Sequence, residues 1–157
     1  MKVEIQKIQF ERAPEFAAML ALVMRPEDLA ECQLAGYETG FDAVLSGIQG
    51  STDSWAVWFG GQLGCVIGVD AHFDGYPGAL IWALTGRVVD RAPVAFVRTS
   101  KAIVASLLDH HRFLWNLVDP AYTKALRWLE LLGFTLGEQI PFPGTGAPFV
   151  LVTIGGA

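Results

Sequence analysis

The chain has 157 residues, is 52% apolar and 17% charged, and carries a formal net charge of −5. That length suits one domain with a real core, the composition excludes a disordered chain, and the acidic balance speaks against a general nucleic-acid binder, which carries a basic stripe. No repeat, low-complexity tract or linker-like run divides the sequence, so residues 1–157 are read as a single domain.

The opening "MKVEIQKIQF" alternates as a strand over roughly residues 2–9 and lacks the apolar core of a secretory signal. "APEFAAMLALV" places Phe16, Leu20 and Val23 at helical spacing, with Pro14 in a first turn. "RPEDLAECQLAGY" predicts a second helix, opened by Pro26 and closed near Gly36, and "TGFDAVLSGIQGS" a short third one. After Ser54 the texture changes. "SWAVWF" and "QLGCVIGVDAH" predict a hairpin turning at "FGGQ", and "ALIWALTGRVV" a further strand with a bulge at Gly86.

"APVAFVRTSKAIVASLLDHH" returns to helical spacing, and "RFLWNLVD" is a short strand. Asp119 then reads as an N-cap and Pro120 as a first helical position. Ala125, Trp128, Leu129 and Leu132 make the apolar face, and Gly133-Phe134 the left-handed stop. "FTLGEQIPF" and "PFVLVTI" are two final strands. The order is β-α-α-α-β-β-β-α-β-α-β-β, an α/β (α+β) domain with a mixed sheet and flanking helices. The strand–helix–strand passage between "ALIWALTGRVV" and "RFLWNLVD" demands a crossover, so these two strands are predicted to run parallel and to part at one end. No apolar run is long and uninterrupted enough to span a bilayer, so the expectation is a soluble protein with no membrane partner. Cys32 and Cys65 show no metal or redox spacing and are expected as buried free thiols.

That order, closed by "VDPAYTKALRWLELLGFTLGE", resembles the GNAT family of N-acetyltransferases, with Ala125, Gly133 and Phe134 falling on the family's closing motif. Two stretches, "MRPEDLAECQLAGY" and "NLVDPAYTKALRWLELLGF", are more narrowly similar to small GNAT-like proteins of tailed phages, some of them internal virion proteins. The broad resemblance implies an acetyl-CoA site, whose pyrophosphate lies on a glycine-bearing loop and a helix N-terminus after the fourth strand. Here the best register starts at Arg91 and puts Val94 and Phe96 on the glycine positions; no glycine occurs from Arg87 to Leu132. The tyrosine that serves many members as general acid falls on Leu129, and the usual asparagine on Tyr122. The resemblance therefore implies a degenerate site with no cofactor or weakly bound acetyl-CoA.

Other candidates stand beside that pattern. Arg87, Arg91, Arg98 and Lys101 are candidate phosphate contacts by charge alone, with Tyr122 beside them; the plain alternative is a solvated helix end. Asp70 and His72 share a strand face and, with Asp74 nearby, are candidate general bases, or ordinary loop polars. His110 and His111 end a helix and have no third metal ligand close in sequence. Asn116 in the apolar "FLWNLV" is a cleft residue or a structural amide. Trp55 and Trp115 are candidates for an open cleft.

The leading expectation is a virion-associated or accessory binding module, located in the virion or host cytoplasm. The alternatives are an N-acetyltransferase with an unusual loop and a non-catalytic small-molecule binder. The apolar excess, with mean hydropathy +0.39, predicts a homo-oligomer or a complex with other virion proteins, with Phe142, Phe149 or Trp115 near the contact.

Overall fold

The computed structural model describes residues 1–73 and 77–156. One seven-stranded sheet is built from β1 (Val3–Lys7), β2 (Asp53–Phe59), β3 (Gln62–Asp70), β4 (Ala79–Thr85), β5 (Phe113–Val118), β6 (Thr135–Pro141) and β7 (Pro148–Gly155). Its spatial order is β1-β2-β3-β4-β5-β7-β6. The helices are α1 (Ala13–Val23), α2 (Pro26–Leu34), α3 (Gly40–Gly50), α4 (Pro93–Leu108) and α5 (Thr123–Leu132).

Both faces of the sheet are covered. Phe16 and Leu20 of α1 and Val44 and Ile48 of α3 pack on Ala56, Val66 and Leu84. Phe96, Val104 and Leu107 of α4 and Leu129 of α5 pack on Val57, Ile67, Val69 and Ile81 of the other face. Each fully buried Leu or Phe contributes about 1.5–3 kcal/mol relative to exposure. Coverage on two sides explains why β3 reads as a nearly continuous apolar run instead of alternating.

All strand pairs are antiparallel except β4–β5, which are parallel and joined across α4. Their pairing holds only at Ala79↔Leu114 and Leu80↔Trp115, after which the strands part. The expected parallel, splayed pair is thus present.

Three local expectations are corrected. β4 stops at Thr85 instead of running through Val89, and Arg87–Arg91 winds into a 3-10 turn. Gly86 is no bulge: it bridges to Met24, and a Cβ there would stand 2.8 Å from the Leu63 carbonyl oxygen. The bulges lie instead at Val57/Trp58 and between Leu136 and Gln139. Nor does α5 begin at Asp119-Pro120; the Asp119 carboxylate accepts the Ala121 N–H at 3.0 Å in a turn, and the helix starts at Thr123.

The stop of α5 is as expected. Gly133 has φ 101°, the Phe134 N–H reaches the Leu129 carbonyl at 3.0 Å, and Phe134 folds back into the core. Cys32 and Cys65 are buried free thiols, with Cys32 pushed up to about 12 by burial. Trp115 and Phe149 are buried within the chain at 4% and 1% exposure, with Phe142 packed 4.7 Å from Phe149. They form the core beneath the C-terminal hairpin, which removes Trp115 and Phe149 as exposed contact residues. Asp74 lies outside the described residues.

Candidate functional site

The parting of β4 from β5 leaves strand edges that nothing in the sheet pairs, and α2 lies across that opening. Asp28 of α2 accepts the backbone N–H of Thr85 at the end of β4, the Thr85 hydroxyl at 2.6 Å, and the hydroxyl of Tyr122 just before α5. Arg25 donates from Nε to Thr85 Oγ1 at 2.7 Å and from Nη1 to Asp90 Oδ1 at 2.9 Å, and its guanidinium lies over the Tyr122 ring. Glu31, one turn on, accepts the Asp119 N–H through Oε2 at 2.9 Å. Lys124 and Glu27 add an ion pair at the rim. The two stretches that carry the narrower resemblance, α2 and the β5–α5 corner, therefore meet in one buried polar network.

Alternation along β4 decides what else faces the opening. Thr85 turns both its N–H and its C=O toward α2, the latter to the Arg25 N–H at 3.0 Å. Ala83 lies two residues earlier on the same strand, so its N–H and C=O point the same way, beyond the last registered pair with β5. Ala83 thus presents a backbone edge to the gap.

Electrostatics follow from burial. Desolvation pushes the Glu31 carboxyl up to about 8, helped by the nearby Asp28 and Asp119 and opposed by the Asp119 N–H. Burial also raises Asp28, against the hydrogen bonds from Thr85 and Tyr122 and the charge of Arg25. The Tyr122 hydroxyl is pushed up by the same burial and by Asp28, so it stays protonated.

Two cavities reach the gap from opposite faces. One, of about 60 Å³, runs between the sheet and α4–α5 along Ile81, Ile103, Trp128 and Leu132 to the polar cluster of Arg25, Asp28 and Tyr122. The other, of about 310 Å³, lies on the α2–α3 side over Leu80, Trp82 and Leu117. Glu31, Trp82, Ala83 and Asn116 line both. A carboxyl poised near neutrality thus borders both cavities at the gap.

The sequence candidates distribute unevenly over this geometry. Asn116 lies in the gap, its Oδ1 taking the Leu117 N–H at 2.7 Å. Tyr122 is there too. Asp70 lines the second cavity, and its Oδ1 accepts the His72 N–H at 2.9 Å; His72 itself is exposed in the following turn and lines neither cavity. Arg98 and Lys101 share a shallow hollow with Pro93, Val94 and Val97 at the start of α4. Arg91 is exposed and donates to Gln62 at 2.9 Å, and Arg87 is exposed in the 3-10 turn. Trp55 lines a separate small groove with Ile5. Sequence reasoning missed Arg25, Asp28, Glu31 and Thr85. A signal existed: three charged residues at i, i+3, i+6 on one helix face, in a chain only 17% charged.

No protein-family model and no curated protein matches this sequence. Solved structures do. The aminoglycoside acetyltransferase AAC(6')-Ib in complex with ribostamycin and coenzyme A is 15% identical, with TM-score 0.72 over 99% of this chain and 94% of that one. An acetyltransferase from Thermus thermophilus is 16% identical, with TM-score 0.68 over 99% and 97%. An acetyltransferase of the GNAT family from Bacillus anthracis is 14% identical, with TM-score 0.66 over 99% and 95%. The chain has the fold of the GNAT acetyltransferases.

Acetyl-CoA can be tested against the residues present. Its thioester end has the Ala83 backbone edge and apolar side chains to meet, in a cavity of about 60 Å³. Its pyrophosphate finds less. Pro93 opens α4 without an N–H, the Phe96 N–H is already held by the Ala92 carbonyl at 2.9 Å, and the Val94 side chain stands on the first turn. Phe96 is no loop residue; it is buried and stacks on Trp128 at 4.9 Å.

Proposed function

We propose that this protein transfers an acyl group from a coenzyme A thioester to an amine, holding the donor chiefly by its thioester arm. One observation carries the reading: Glu31, whose carboxyl burial pushes up to about 8, lines the cavities on both faces of the sheet at the β4–β5 gap. A base with its pKa near the working pH is what amine deprotonation requires. In this reading the Ala83 N–H polarises the thioester carbonyl. The amine nitrogen forms the new C–N bond and gives its proton to Glu31, and the C–S bond breaks. A thiolate of pKa about 8.5 leaves without an obligatory acid, so Leu129 in the acid position does not forbid the step. The Asp28–Thr85–Tyr122–Arg25 network keeps the two strands apart and fixes α2, and with it Glu31.

The test is thiol release from acetyl-CoA over a panel of amines, for the wild type and Glu31→Gln. Acyl transfer with a loss of about 10²–10⁴-fold in Glu31→Gln is expected. Amine-independent thiol release, or an unimpaired variant, refutes the assignment.

A second reading is favoured by the start of α4. Pro93, Val94 and the core placement of Phe96 leave little bare backbone for a pyrophosphate, and Leu129 cannot donate a proton. These features support a degenerate coenzyme site in a virion-associated or accessory binding module that self-associates or docks on other virion proteins. The meeting of the two phage-like stretches in one buried network supports the same reading. Absence of acyl-CoA binding in calorimetry, together with co-purification with virions, selects it.

A further inference from the structure

One wall of the second cavity is set by a single indole. Trp82 faces the cavity from β4, directly opposite Gly68 on β3. A Cβ on Gly68 would collide with the Trp82 Nε1, and one on Gly47 of α3 would stand 2.8 Å from Cζ2. Two glycines thus make room for the ring, which lies against both. Its N–H donates to Ser51 Oγ at 2.7 Å, and Ser51 in turn donates to the Gly47 carbonyl at 2.6 Å. The ring has a single orientation and a satisfied polar edge, so what remains for the cavity is an aromatic surface.

Around that ring the chemistry is lopsided. Among the described lining residues the charged ones are Glu31 and Asp70, and no Lys or Arg joins them. Asp70 pairs with Leu80, and Leu80 and Trp82 are alternate residues of β4, so Asp70 and the indole stand on the same face of the sheet. Leu80, Leu117, Phe142 and Phe149 add apolar wall, and the neutral polar groups of the lining are already engaged: Ser51 between the indole and the Gly47 carbonyl, Asn116 Oδ1 on the Leu117 N–H, and the Tyr37 hydroxyl 3.4 Å from Ser46 Oγ. Polyhydroxylated ligands need many hydrogen-bond partners, and such a wall leaves most of their hydroxyls unsatisfied. A single cation on an apolar body fits instead, with its charge beside the Asp70 carboxylate and its apolar body against the aromatic wall.

We propose that the α2–α3 cavity is a binding site for hydrophobic monoamines of the arylalkylamine type, with the Trp82 ring in its wall and Asp70 as the anionic end. This deepens the acyl-transfer reading by naming its acceptor, and it sets the cavity apart from one suited to sugar-based polyamines.

The test needs no acyl donor. Phenethylamine, its non-acylatable quaternary analogue phenethyltrimethylammonium, neutral 2-phenylethanol and the sugar polyamine kanamycin are titrated calorimetrically into the full chain. Phenethylamine and the quaternary ion are expected to bind at least tenfold more tightly than the alcohol, and kanamycin not to compete. Trp82→Leu is expected to weaken phenethylamine at least fivefold. Because Trp82→Leu can disturb the fold, Phe142→Ala at the half-buried rim and Asp70→Asn serve as second variants, each expected to weaken binding at least threefold. Equal binding of amine and alcohol, competition by kanamycin, or unchanged affinity in folded variants overturns the proposal. Amine binding without acyl transfer would leave the site standing and remove the enzyme; acyl transfer to other acceptors without arylalkylamine binding would do the reverse.

Discussion

Replacing Glu31 with glutamine tests the electrostatics of the gap without any substrate. The folded carboxyl titrates at about 8 against an ordinary 4.5. Each unit of that separation corresponds to about 1.4 kcal/mol, so the ceiling on its effect is roughly 5 kcal/mol. The sign follows from proton counts. Between the two values the folded chain holds one proton more than the unfolded chain, so stability falls as pH rises through that window. Below it both forms are protonated and the penalty vanishes; above about 8 it is complete. The glutamine side chain stays neutral throughout and keeps an oxygen for the Asp119 N–H. Asp28, also raised by burial, is present in both proteins, and its repulsion of the Glu31 charge is part of the difference the substitution removes. Water reaching the cavity reduces the ceiling, so Glu31→Gln should match the wild type at pH 4.5 and exceed it by about 2–4 kcal/mol at pH 9. Urea unfolding followed by tryptophan fluorescence at intervals across that range measures the divergence. Parallel pH curves, with the two proteins within about 0.5 kcal/mol at pH 9, would show that Glu31 is solvated and would also withdraw its candidacy as the base.

Acyl transfer should rise with pH and level off above about 8, because Glu31 must lose its proton to act; rates with an acceptor whose own pKa lies well below that value read this directly, and a flat profile contradicts it. Acetyl-CoA and an acetylated pantetheine lacking the nucleotide should bind within about tenfold of each other, since the start of α4 offers few of the charge-assisted contacts worth roughly 1.5–3 kcal/mol each; a hundredfold preference for the full coenzyme in calorimetry would show a working cradle. Gly68→Ala should cost about 1–3 kcal/mol by forcing the Trp82 ring off its seat, visible as a lower midpoint in urea. Asp28→Ala should cost about 3 kcal/mol or more, because the Thr85 N–H and Tyr122 hydroxyl lose their buried acceptor; a change under about 1 kcal/mol would mean that the network is not holding the gap.

What could be read from the sequence and what could not divide along a physical line. The splayed β4–β5 pair was legible because it follows from chain order: a strand, a helix and a strand force a crossover and a parallel pair. The stop at Gly133-Phe134 was legible because a left-handed cap is a local event between neighbours in sequence. Asn116, left open in the sequence between a cleft residue and a structural amide, lines the gap from β5, and Tyr122, expected there only as a cofactor contact, lines it from the turn before α5. The 3-10 turn over Arg87–Arg91 was not, because what ends β4 is distant in sequence: Gly86 bridges to Met24, and Thr85 is taken by Arg25 and Asp28. The same partners hid the functional side chains. In "MRPEDLAECQLAGY" the residues Arg25, Asp28 and Glu31 look like the solvated face of an amphipathic helix, and nothing local marks the first two as buried or Glu31 as half-buried. Their burial is created by partners 57 and 94 residues away for Asp28 and 88 residues away for Glu31. A carboxylate in water has an ordinary pKa and no role to suggest; laid across an open strand pair, Asp28 ties the end of β4 to the turn before α5, and Glu31 is pushed up to about 8 by burial, which is what makes it the proposed base. The chemistry of this site therefore lies in α2, and the sheet that the sequence announced supplies the opening that α2 fills.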